Sequence, residues 1–95
     1  MNKFNLNKPI THPAGFPFKN EDGSEFLIKD AILNGLSSND QNATAQQKTK
    51  RYELALKVVA FSGECELSSS DITEINKSIE KMPPFIYGFV SKFLG

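Results

Sequence analysis

A chain of 95 residues with eleven basic and eleven acidic side chains carries no formal net charge, so it lacks the cationic excess by which nucleic-acid-binding domains usually declare themselves. Its hydrophobic content of 39% and its eight phenylalanines are globular, which excludes a disordered or fibrous chain, and the length suits one domain. A single cysteine, Cys65, excludes an internal disulfide and a CxxC zinc site, and a single histidine, His12, leaves little for metal or acid–base chemistry.

Residues 1–14 hold Pro9 and Pro13 among polar neighbours. They read as an extended arm, anchored by Phe4, Leu6 and Ile10, ahead of one globular domain spanning 15–95. Neither a signal-peptide run nor an apolar stretch of about 18 residues is present, so a cytoplasmic protein without a membrane span is expected. From Gly15 the pattern alternates: Phe16 and Phe18, then Asn20-Glu21-Asp22-Gly23, then Phe26 and Ile28. Asp-Gly between alternating runs predicts a β-hairpin, because glycine takes positive φ without steric cost. Pro17 places its strand at an edge.

A short helix over 28–36 follows, with Ile28, Ala31, Ile32 and Leu36 on one face and Gly35 in its last turn. Ser37–Asn42 reads as a polar loop. Thr44 and Gln47 then form a capping box for a second helix. Along it, Tyr52, Leu54, Ala55, Leu56, Val58, Val59, Ala60 and Phe61 sweep roughly 260° of the circumference. Only Glu53 and Lys57 interrupt them, spaced for an i,i+4 ion pair. So wide an apolar arc predicts that this helix is the hub of the domain, stopping near Phe61 or Ser62 before Gly63.

The third helix has the clearest start: Leu67, Ser68, Asp71 and Ile72 supply a capping box and a hydrophobic staple. Ile72, Ile75, Ile79 and Met82 make its buried stripe. Pro83-Pro84 ends it, and Pro84 suits the first position of a fourth helix. The fold expected is therefore α+β, mainly α: an N-terminal β-hairpin followed by four helices packed around a central one. Its core should comprise Phe26, Ile28, Ile32, Tyr52, Leu56, Val59, Ile72, Ile75, Ile79, Phe89 and Phe93.

Little here resembles catalysis. His12 lies in the arm with no acidic residue within four positions, which favours an exposed residue over a base or ligand. Cys65 sits between Glu64 and Glu66, whose charge disfavours a thiolate. The acidic groups Glu21-Asp22-Glu25 and Glu64-Glu66 lack the order of a calcium loop and read as solvated charge. No cofactor and no enzymatic activity is expected.

Two binding surfaces remain. In the last helix, Phe85, Ile86, Phe89, Val90, Phe93 and Leu94 cover about 180°, more than one neighbour needs, with Tyr87 at the border. Phe85, Ile86, Tyr87, Phe89, Val90 and Phe93 are thus candidates for contacting a protein partner, or for closing a homodimer. The alternative is a small DNA-binding regulator using Lys48, Lys50, Arg51 and Lys57, a reading disfavoured because those cations do not gather on one face.

Lys50-Arg51-Tyr52-Glu53-Leu54-Ala55-Leu56-Lys57, then Glu66-Leu67-Ser68-Ser69-Ser70-Asp71-Ile72 leading to Ile75, and Pro84-Phe85-Ile86-Tyr87-Gly88 resemble small proteins encoded by tailed bacteriophages and prophages. An acidic-Gly hairpin like Asn20–Gly23 also precedes the helices there. The resemblance spans about residues 15–94, is one of pattern and spacing, and departs at Ile28, where a capping Thr is expected. It implies a phage setting inside the host cell or in the virion, and no chemistry. The function expected is a non-enzymatic protein that binds another protein, in particle assembly or in modulating a host factor.

Overall fold

The computed structural model describes residues 2–38, 41–61 and 63–95, and its fold is α+β, mainly α. In chain order the elements are β1 (Asn2–Phe4), α1 (Ile28–Leu36), α2 (Ala45–Ala60), β2 (Cys65–Leu67), α3 (Ser69–Ile79) and α4 (Pro84–Leu94). Strands β1 and β2 pair antiparallel, Phe4 opposite Cys65, which ties the start of the chain to the segment between α2 and α3.

The expected turn closes over Asn20–Gly23: Gly23 takes φ +88°, Asn20 N–H donates to Ser24 O, and the backbones of Lys19 and Glu25 pair antiparallel. A second turn, not anticipated, reverses the arm at His12–Gly15, with Gly15 at φ +98°. The three segments between and beside these turns close on one another. Ile10 N–H donates to Phe26 O (2.9 Å), Phe26 N–H to Phe18 O (2.8 Å), and Phe18 N–H to Ile10 O (3.0 Å). Such a closed ring leaves none of the three segments as a free edge, so their buried backbone is satisfied without a long sheet.

The arm is woven into the body. Leu6 and Ile10 are fully buried, and Ile28 N–H and Lys29 N–H donate to Lys8 O and Leu6 O, satisfying donors that the first turn of α1 leaves unpaired. At the same end the Asp30 carboxylate accepts from the N–H of Leu27, the N-cap residue, at 3.0 Å; this is the acidic half of a capping box, and neither Leu27 nor Ile28 has a hydroxyl to supply the other half. The capping boxes expected for α2 (Thr44, Gln47) and α3 (Ser68, Asp71) both form, and Pro84 opens α4.

The hub is α1, not α2. Ile28, Ala31 and Ile32 are fully buried, and α1 packs on α2, α3 and α4. Gly35 permits the closest approach: a Cβ there would lie 2.5 Å from Ile79 Cγ2 and 3.0 Å from Ser78 O. Around α1 gather Leu54, Val58, Leu67, Ile75, Ile79, Val90 and Leu94.

Helix α2 is a peripheral helix rotated away from the expected orientation. Its buried face is Arg51, Leu54 and Val58, whereas Tyr52, Leu56 and Val59 are 66%, 53% and 61% exposed. Those three therefore leave the expected core, while Phe26, Ile72, Phe89 and Phe93 sit half-buried at its margin. An apolar arc of roughly 260° cannot say which part turns inward. The edge that turns inward carries charge: Arg51 Nε meets Glu74 Oε2 of α3 at 2.8 Å, and Lys50 and Lys57 both reach Asp71. The expected Glu53–Lys57 pair does not form, since Lys57 turns to Asp71 Oδ2 at 3.3 Å. Asn39 and Asp40 of the polar loop, and Ser62 at the expected helix end, lie outside the described residues.

Candidate functional site: a groove between the arm and the last helix

The His12–Gly15 turn brings the arm against the start of α4. His12 stacks on Phe16 with ring planes nearly parallel and centroids 4.5 Å apart, and meets Phe85 edge-on at 4.9 Å and Phe18 at 5.6 Å. Ala14 N–H donates to His12 Nδ1 at 3.0 Å, so in the neutral imidazole the proton resides on Nε2. Beside this cluster a groove of about 500 Å³ opens between Thr11-His12-Pro13 and Pro84, Phe85, Gly88, Phe89 and Lys92. Its walls are mostly rings, prolines and the bare backbone at Gly88, where a Cβ would meet nothing within 4 Å. Among the described residues, Lys92 is the one lysine or arginine that lines it, and no Asp or Glu does.

Six α4 residues are candidates for partner contact, and the helix treats them differently. Phe85 is 52% exposed and, with half-buried Phe89, lines the groove. Val90 is fully buried, and Phe93 is covered by Phe4 at 5.7 Å and Lys8 Nζ at 5.6 Å from its ring. Ile86 and Tyr87 are half-buried against the core. Thus only Phe85 and Phe89 of the six face open space together. His12 and Lys92 were missed because their neighbour relation is tertiary: the arm and the last helix lie some 70 residues apart in the chain.

The four cations of the nucleic-acid alternative are largely committed elsewhere. Lys50 Nζ lies 2.7 Å from Asp71 Oδ1, Lys57 Nζ bonds the other oxygen, and Arg51 is 5% exposed against Glu74. Only Lys48 points freely outward among the four. Burial pushes the Asp71 carboxyl up, but hydrogen bonds from Lys50, Ser68 N–H, Lys57 and Ser68 Oγ outweigh it and hold it well below the usual carboxylate range. The Lys50 ammonium is correspondingly raised, first by its hydrogen bond to Asp71.

Cys65 is buried in β2, and burial is the main cause that pushes its thiol up; the charge of Asp71 adds to this and Lys57 opposes it. The flanking Glu64 and Glu66, invoked from sequence, are not the cause. Among the described residues no three His, Cys, Asp or Glu side chains are placed to hold a metal ion, and no helix is long and apolar enough to cross a membrane. Comparison with protein-family models, with curated proteins and with solved structures finds no match to this chain.

Proposed function

We propose that this chain is a non-enzymatic protein-binding domain whose groove between the arm and α4 receives a partner segment carrying an apolar anchor next to a carboxylate. One observation carries the reading: exposed Phe85 and half-buried Phe89 flank an open, apolar groove with Lys92 as its single lysine. Rings of this kind bury large area at low entropic cost, and one cation on an apolar wall selects an acidic neighbour. The non-enzymatic part is supported by a histidine whose Nδ1 is already occupied by Ala14 N–H and by a buried thiol. The phage setting, with a role in particle assembly or in modulating a host factor, is supported by the sequence resemblance. Ion pairing at Lys50, Arg51 and Lys57 weighs against the DNA-binding alternative.

Selection of random displayed peptides on the purified domain tests this reading. Enriched peptides should place Leu or an aromatic residue within a few positions of Asp or Glu. Gly88→Leu, which fills the groove where space is open, should abolish their binding, and Lys92→Glu should remove the acidic preference. Absence of enrichment, or undiminished binding to Gly88→Leu, would overturn it.

A further inference from the structure

The solvent face of α2 has a pattern that neither its own fold nor the groove uses. Ala45, Thr49, Tyr52, Leu56 and Val59 are all exposed and recur at spacings of four, three, four and three. That is an a/d heptad seam: Thr49 and Leu56 stand at a, and Ala45, Tyr52 and Val59 at d. The residues α2 buries against its own protein, Arg51, Leu54 and Val58, centre roughly 150° away around the helix. A helix docked on the seam would therefore meet α2 on the side opposite the body.

Charge at the margins of the seam identifies the occupant. In the same register Lys48 falls at g and Glu53 at e, five residues later, on opposite flanks. In a parallel, in-register pair, g of one helix lies beside e of the following heptad in the other. Lys48 of each copy then meets Glu53 of its partner, two ion pairs related by the two-fold axis. An antiparallel pair centred on Tyr52 forms neither and brings Glu53 towards Glu53. Both side chains are exposed, and neither forms an ion pair within the chain among the described residues, in contrast to Lys50 and Lys57, which Asp71 holds. The remaining e and g positions, Gln46, Ala55 and Ala60, are neutral.

We propose that α2 pairs with α2 of a second copy of this chain, parallel and in register, through the Ala45-Thr49-Tyr52-Leu56-Val59 seam with Lys48–Glu53 pairs on its flanks. Sixteen residues give little more than two heptads, so the dimer is weak, with a dissociation constant on the order of 10 µM to 1 mM. The seam is separate from the α4 groove, and the two readings stand or fall apart.

Sedimentation equilibrium from about 10 µM to 1 mM on the full chain should give a mass rising from monomer towards dimer. Leu56→Glu, at an exposed position, should remain folded by circular dichroism and stay monomeric throughout. Lys48→Glu and Glu53→Lys should each weaken association by roughly tenfold, and the double exchange should restore it. Orientation is read by oxidising Thr49→Cys and Val59→Cys separately. Parallel pairing cross-links both; antiparallel pairing permits at most one, the position at its axis. A monomeric mass up to about 1 mM, a dimer that survives Leu56→Glu, a double exchange that fails to rescue, or cross-linking at only one position would each overturn the proposal.

Discussion

Removing the Arg51 side chain should damage this domain more than any exposed apolar truncation on the same helix. Arg51 Nε sits 2.8 Å from Glu74 Oε2, with side chains only 5% and 12% exposed. At an effective dielectric near 20, opposite charges about 4 Å apart attract by about 4 kcal/mol, and desolvation takes back much of that. The intact pair therefore adds little net stability. Arg51→Ala is another matter, because it leaves the Glu74 carboxylate buried beside α2 without its partner. The expected loss is about 3–5 kcal/mol, a large part of the roughly 5–14 kcal/mol expected for a chain of this size. The melting temperature should fall by roughly 15 °C or more. Replacing both partners, Arg51→Met with Glu74→Leu, should recover part of the loss, since the Glu74 carboxylate is then no longer left buried beside an alanine. Urea denaturation of the two single variants and the double variant forms the necessary cycle. A loss under about 1 kcal/mol for Arg51→Ala, or a double variant as weak as the sum of the singles, would refute the reasoning.

The remaining expectations concern the contacts that set α2 and α3 against their neighbours. Asp71 has a folded-state pKa below its unfolded value, so its contribution is fully present above about pH 4 and is lost as the pH falls through the lower folded value. The urea midpoint of the native chain should accordingly drop between about pH 4 and pH 2, and Asp71→Asn should be less stable at neutral pH with a shallower acid decline. Gly35→Ala should destabilise by about 1–3 kcal/mol despite alanine's better helix propensity, because the new Cβ meets Ile79 at 2.5 Å; calorimetry would expose a net gain, which the packing forbids.

Most helix boundaries were legible in the sequence to within a residue or two because they are written in local chemistry; the exception is the end of α3, which stops at Ile79, three residues before the expected Met82. Thr44 with Gln47, Ser68 with Asp71, and Pro84 each act on groups three or four residues away. The Asn20–Gly23 turn is local in the same sense. What escaped was relational. The pairing of β1 with β2 joins segments more than 60 residues apart, and alternation in three-residue strands is too short to reveal it. The rotation of α2 is not legible from its own sequence, because the carboxylates that its cations meet, Asp71 and Glu74, belong to α3. A long apolar arc suggested a hub, whereas a buried arginine facing Glu74 and two lysines facing Asp71 turn its polar edge inward.

The same distinction separates the parts of the candidate site. Excess apolar area on α4 could be read from spacing, but not that Phe4 and Lys8 cover Phe93 while Phe85 stays open. The histidine in the arm looked like an isolated polar residue. Its ring is instead held between Phe16 and Phe18 of the segment after its turn and Phe85 of α4, and so helps form the groove wall.

The orientation of α2 underlies both the buried ion pair and the exposed seam, and one comparison tests it directly. Leu54 and Leu56 are two residues apart on the same helix, yet Leu54 is 3% exposed and Leu56 is 53% exposed. Measured by urea denaturation at low protein concentration, Leu54→Ala should cost about 2–5 kcal/mol and Leu56→Ala less than about 1 kcal/mol. A Leu56→Ala loss equal to or larger than that of Leu54→Ala would mean that α2 faces the other way, and the account built on its rotation would be wrong.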